Sequence, residues 1–169
     1  SRRRIGKTFF GGNIQLEAVT RNKSFFVGNQ SKTDDDVESL LHKAIVNPFR
    51  KYPFFLKPIY DPAGKMKRDI IFDDYGASGE ALESWIDCRS SVDTAYDGEK
   101  LHLYFMDEAG KMKKPTDPVK MWDKVKPCLI EDDKIIGKAL IDTTVEEMER
   151  GGLERFLELW MDSSRKPED

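Results

Sequence analysis

Histidine and cysteine are scarce in this chain, with two of each among 169 residues. Neither Cys88 nor Cys128 has the close Cys or His neighbours of a zinc site or a redox motif. One disulfide would be possible, but two cysteines in this length fit small apolar residues of a reducing interior. No apolar run approaches the roughly 18 residues of a membrane-spanning helix. No apolar stretch follows the basic start, as a secretory signal requires. Low-complexity tracts are missing too, and aromatics make up 11% of the chain, which argues against disorder. The expectation is an intracellular protein of cytoplasm or nucleus, with no membrane partner.

Charge is what the chain has in plenty. Asp, Glu, Lys and Arg form 35% of it, and 28 cations against 31 acids leave a net charge of -3. That near balance is a cancellation. Residues 1–32 carry Arg2, Arg3, Arg4, Lys7, Arg21, Lys23 and Lys32 against Glu17 alone, whereas residues 131–169 are strongly acidic. A basic start and a polar end read as the borders of a domain excised from a longer protein, with a single domain over 1–162 and a polar tail over 163–169.

Periodicity supplies the elements. Ile5 to Phe10 reads as a strand, Gly11-Gly12-Asn13 as a turn, and the alternation Ile14, Leu16, Ala18 as a second strand. Arg21-Asn22-Lys23 turns the chain into a third, Ser24 to Val27, which Gly28 ends. Thr33 caps a helix whose first turn holds Asp34, Asp35 and Asp36 and which Asn47-Pro48 stops. Phe54 to Tyr60 and Asp69 to Phe72 read as strands, and Ser78 as the cap of a helix bearing Leu82, Trp85 and Ile86. Lys100 to Met106 alternates as a strand. Asp117-Pro118 opens a short helix through Met121, Trp122 and Val125. Cys128–Ile130 and Lys134–Ile141 read as a hairpin. Thr143 and Glu146 have the spacing of a capping box before an apolar face of Leu153, Phe156, Leu157 and Trp160. The fold expected is α+β: a largely antiparallel sheet, with an N-terminal meander plus hairpins, packed by two or three amphipathic helices.

One segment repeats. Asp61-Pro62-Ala63-Gly64-Lys65-Met66-Lys67-Arg68 returns as Asp107-Glu108-Ala109-Gly110-Lys111-Met112-Lys113-Lys114. Each copy follows a predicted strand and reads as a hairpin tip with a basic exit. The constellations of catalysis are sparse. Gly6-Lys7-Thr8 resembles the end of a Walker phosphate loop, but the upstream glycine is missing and the surrounding pattern is that of a strand, so it is set aside.

Three functional readings follow. The leading one is a non-catalytic interaction domain that binds another protein or another domain of its own chain, with Tyr104, Trp122 and Trp160 as aromatic anchors. The alternative is a domain binding RNA or single-stranded DNA through Arg2, Arg3, Arg4, Lys7 and Phe10 of the predicted N-terminal strands, joined by Lys65, Lys67, Arg68, Lys111, Lys113 and Lys114 of the two tips. The third is a metal-dependent hydrolase or nuclease built on Asp73, Asp74 and His42 or His102. The balance leans away from an enzyme, and no cofactor or metal is expected.

Overall fold

The computed structural model describes residues 6–62, 64, 66–74, 80–92, 94–112, 116–144 and 153–164. Helix α1 (Lys7–Arg21) leads into strand β1 (Phe26–Ser31). Helix α2 (Asp34–Leu40) follows; it widens into a π-helical turn at Leu41–Val46 and closes as α3 (Asn47–Arg50). A 3₁₀ turn at Phe54–Leu56 precedes strands β2 (Asp69–Phe72), β3 (Ser84–Ser90) and β4 (Leu103–Met106). After α4 (Pro118–Val125) come a small hairpin of β5 (Ile130–Glu131) and β6 (Lys134–Ile135), then β7 (Lys138–Ile141) and α5 (Leu153–Ser164).

The main sheet has the order β2-β3-β1-β4-β7. β1 pairs in parallel with β3 on one side and β4 on the other, and β4 pairs in parallel with β7. Only β2 runs against its neighbour. This corrects the antiparallel sheet expected from the sequence: the fold is α/β. Parallel strands are buried on both faces because their crossovers lay helices on each side. One core lies under α1, α2, its π turn and α3, and takes in Val27, Ile86, Cys88 and Phe105. A second lies under α4 and gathers Tyr104, Met106, Met121, Val125 and Leu129, with Phe156 of α5 packed against it. Tyr104 and Met106 thus face one layer while Phe105, between them, faces the other.

The largest departure from expectation is the start of the chain, where the first two strands of the predicted meander are one helix and only the third overlaps a strand, β1. The buried positions of α1 are Gly11, Gly12, Gln15, Leu16 and Val19, a helical stripe. Gly11-Gly12 is no turn. A Cβ at Gly12 would lie 2.6 Å from the carbonyl oxygen of Ala44 in the π turn, so a bare backbone is what lets the two helices touch. Gly28 does not end its strand either; it makes room for the ring of Tyr96. Pro48 stands in the first turn of α3, where a missing N–H is harmless. Phe54–Leu56 is a 3₁₀ turn and Ser84–Ser90 a strand, where a strand and a helix were expected. Ser78 and Glu146, two of the predicted capping residues, lie outside the described residues.

Other local readings agree with the structure. Thr33 accepts a hydrogen bond from Asp36 N at 3.2 Å and caps α2, and Asp117 caps α4. β2 and β4 occur where predicted.

Gly12→Val forces a side chain into the Ala44 contact, and we expect a loss of about 1–3 kcal/mol. A fall in the urea unfolding midpoint, with Asn13→Ala on the exposed side of α1 as control, checks this.

A candidate active-site cleft at the carboxyl ends of the strands

Because β1, β4 and β7 are parallel, the segments that follow them emerge at one end of the sheet. There they meet the start of α1 in a cleft of about 520 Å³. One wall is Gly6, Lys7, Thr8 and Phe9; the opposite wall is Lys32, Asp36, Ser39 and Lys43; the floor is Asp107, Glu108, Lys111, Asp142 and Thr144.

Each wall has a local cause. Gly6 takes a left-handed conformation, φ 79° and ψ 18°, and its carbonyl accepts the first helical hydrogen bond from Phe10 N at 2.9 Å. The first turn of α1 holds no acid and no side-chain cap, so the positive end of its dipole is left for an outside anion. Lys7 reaches across the cleft to pair with Asp142 after β7, and its ammonium also donates to the Thr143 carbonyl at 2.7 Å. The Thr8 hydroxyl donates to Asp107 Oδ1 at 3.4 Å.

The floor is set by β4. Its apolar run Leu103–Met106 is buried, and the two residues that leave it are acidic. Asp107 is 9% exposed. Burial pushes its carboxyl up to about 6, helped by the charges of Glu108 and Asp142 and opposed by the Thr8 hydroxyl. Glu108 sits at φ 57°, a conformation non-glycine residues avoid and that gathers at functional sites. Its side chain pairs with Lys111 and accepts from the Thr144 hydroxyl at 3.2 Å. Two further hydrogen bonds lock this corner to the end of β7, from Ala109 N to Asp142 O at 2.9 Å and from Gly110 N to Thr143 Oγ1 at 3.0 Å.

Among the described residues no group of three or more His, Cys, Asp or Glu side chains is arranged to hold a metal by itself. Thr8 and Asp107 nevertheless bring a hydroxyl and an underprotected carboxylate together. That is the donor set of a cation that keeps most of its shell for water and phosphate oxygens.

The residues singled out from the sequence are scattered. Lys7 and Lys111 lie in the cleft, each paired with an acid. Phe10 is exposed on α1, Lys67 is exposed, and Arg68 pairs with Asp34 at 3.2 Å. Arg2, Arg3, Arg4, Lys65, Lys113 and Lys114 lie outside the described residues. The two repeats share an end of the sheet but stand two strands apart, and the second is the cleft floor and not a hairpin tip. Tyr104 is enclosed, its hydroxyl donating to Gln30 Oε1 at 2.7 Å, so it is no surface anchor. Trp122 is half-buried in the second core and Trp160 is exposed. His42 stands beside Glu38, while His102 stacks on Phe25 and accepts from Phe26 N at 3.1 Å. Neither pairing brings in Asp73 or Asp74, as a hydrolase built on them requires.

Missed were Thr8, Asp107, Glu108, Asp142 and Lys32. The signal available was an apolar strand ending in Asp-Glu together with a Gly-Lys-Thr opening a helix; misreading α1 as strands hid the second half.

No known family's sequence profile matches the chain, and no curated protein sequence matches it. Solved structures do. The HK97 bacteriophage large terminase superimposes with a TM-score of 0.66 at 17% identity, over 96% of this chain and 31% of that one. The ATPase domain of the Thermus phage P74-26 large terminase superimposes with a TM-score of 0.57 at 22% identity, and an arginine-to-alanine variant of it with 0.60 at 20%. Each covers 85% of this chain and 57% of its own. This chain therefore spans about a third to somewhat over half of the structures it matches. The shared fold is that of large-terminase ATPase domains, and with it the expectation of a non-catalytic interaction domain falls. No helix among the described residues is long and apolar enough to cross a membrane.

Asp107 also predicts a pH signature. Its folded carboxyl titrates near 6, above the ordinary 3.8, so the apo protein loses stability as pH rises through that window. Asp107→Asn should stabilise the apo chain by on the order of 1–3 kcal/mol at about pH 8, with the gain mostly gone near pH 4. Urea unfolding of both proteins at the two pH values checks this.

Proposed function

We propose that this chain is a nucleoside triphosphatase of the large-terminase ATPase kind, acting in DNA packaging and hydrolysing a magnesium–nucleotide in the cleft at the ends of β1, β4 and β7. The observation that carries this reading is the meeting of Thr8, one residue into α1, with Asp107 at the end of β4.

Phosphate recognition falls to α1. Its uncapped first-turn N–H groups face the cleft mouth and suit an anion. Lys7 is held in reserve by Asp142 and exchanges that carboxylate for phosphate oxygens when nucleotide enters. Thr8 and Asp107 are the residues that would hold magnesium, which supplies charge neutralisation at the phosphoryl oxygens. Glu108, the neighbouring acid, is the group suited to orient the attacking water and accept its proton. Thr144 and Lys111 hold that carboxylate in place, and the hydrogen bonds from Ala109 and Gly110 fix the floor to the segment after β7. Lys32 and Lys43 on the opposite wall add positive charge where a triphosphate's outer end would lie.

The departures from a standard phosphate loop bear on affinity. In sequence, position 1, where the first glycine of the motif belongs, is Ser, and positions 2–4 are Arg.

Binding of a fluorescent ATP analogue and phosphate release test the reading. Lys7→Ala should weaken magnesium-dependent binding at least about tenfold, since it removes a charge-assisted phosphate contact. Glu108→Gln should retain binding and lower turnover about 100-fold or more. Absence of magnesium-dependent binding in the wild-type chain, or variants equal to it, would sink the proposal.

A further inference from the structure

The most exposed large apolar side chain among the described residues lies in the 3₁₀ turn that follows α3. Phe54 is 87% exposed, Phe55 71% and Leu56 53%, three consecutive apolar residues presented to solvent. They are not on a loose loop. The 3₁₀ turn is closed by Leu56 N to Pro53 O at 3.0 Å and Lys57 N to Phe54 O at 3.2 Å, with Pro53 and Pro58 fixing its two sides. Lys57 then staples the tip to α3, its ammonium donating to the Arg50 carbonyl at 2.9 Å and lying 5.7 Å from the Phe49 ring. The rings of Phe54 and Phe55 stand edge to face, 5.6 Å apart at 88°.

The charge around the tip has one sign. From Asn47 to Tyr60 the chain holds Arg50, Lys51 and Lys57 and no acid, in a protein whose net charge is negative. Arg50 and Lys51 are both exposed. Beside the tip runs a groove of about 540 Å³ between Tyr52 and Leu56 on one side and Asn13, Glu17, Thr20 and Arg21 of α1 on the other. Its one carboxylate, Glu17, is paired with Arg21 at 3.5 Å. One helical turn beyond Asn13 stands Phe10, 66% exposed.

We infer that this tip and groove form a binding track for single-stranded nucleic acid, with bases stacking on Phe54 and Phe55 and phosphates meeting Arg50 and Lys51. Rigid exposed rings flanked by cations are what sequence-tolerant strand binding requires, because each base offers a π-face and each link a negative charge. A purely apolar protein partner would gain nothing from the three cations, and an acid-free flank favours a polyanion. Phe10 provides a further stacking surface at the far end of the groove. This inference does not rest on the nucleotide cleft, which lies at the other end of α1.

Fluorescence anisotropy with a labelled oligothymidylate of about 20 nucleotides, without ATP, tests it at about 50 and 200 mM salt. The double variant Phe54→Ser, Phe55→Ser should bind at least about tenfold more weakly, as loss of base stacking requires, with the salt dependence unchanged. The double variant Arg50→Gln, Lys51→Gln should instead flatten the salt dependence, by about 1.4 in the slope of log K against log salt. All four positions are exposed, and circular dichroism verifies that the fold survives. Equal affinity of the aromatic variant and the wild type overturns the proposal. So does undiminished binding to a duplex of the same sequence, or a loss of self-association on sedimentation with strand binding intact.

Discussion

Lys7 ties the first turn of α1 to the end of β7 through the Asp142 carboxylate and the Thr143 carbonyl, and so joins one wall of the cleft to its floor. Besides that tie and the Thr8–Asp107 hydrogen bond, the helix is anchored by its apolar stripe, which begins a turn further along, at Gly11. The stripe fixes the depth at which α1 sits, through the bare backbone of Gly12 against Ala44. The lysine fixes where the helix starts. Together they hold Thr8 against Asp107, and every other feature of the cleft is arranged around that contact.

The cleft is held under electrostatic tension. Asp107 is buried beside Glu108 and Asp142, and the cations nearest to hand are committed elsewhere, Lys7 to Asp142 and Lys111 to Glu108. A carboxyl pushed to about 6 is poorly compensated. Proteins keep such groups where a ligand completes the charge balance. Glu108 adds backbone strain in the left-handed region at the same corner. Strain and undercompensated charge thus fall on two adjacent residues at one corner of the cleft.

The surface divides by chemistry. At the carboxyl ends of the strands, cations and acids alternate at close range, which suits a metal-bound anion. At the 3₁₀ tip, cations stand among rings with no acid between them, which suits a chain of phosphates and bases. α1 borders both regions. Its first turn lines the cleft, and the helix continues past Phe10 to the groove wall at Asn13 and Glu17.

Much of the local structure was legible. Thr33 and Asp117 are caps because a short oxygen-bearing side chain before an apolar period can satisfy free helix N–H groups, whatever lies elsewhere. β2 and the Leu103–Met106 strand follow from local apolar pattern alone. Gly6-Lys7-Thr8 and Asp107-Glu108 were also visible as letters. What they meant was not, because Ile14, Leu16 and Ala18 alternate as a strand would while Gln15, Leu16 and Val19 also fall on a helical face, and only packing against Ala44 and Phe105 chooses between the two. The direction of the sheet was hidden for a similar reason. Parallel pairing joins residues as distant as Gln30 and Met106, and the helices that bury both faces are what make it favourable. Local sequence therefore determined where α2 and α4 are capped and where β2 and β4 run. The tertiary structure alone decided that a lysine and a threonine at the start would face two acids a hundred residues later, since that meeting depends on the order of strands in the sheet.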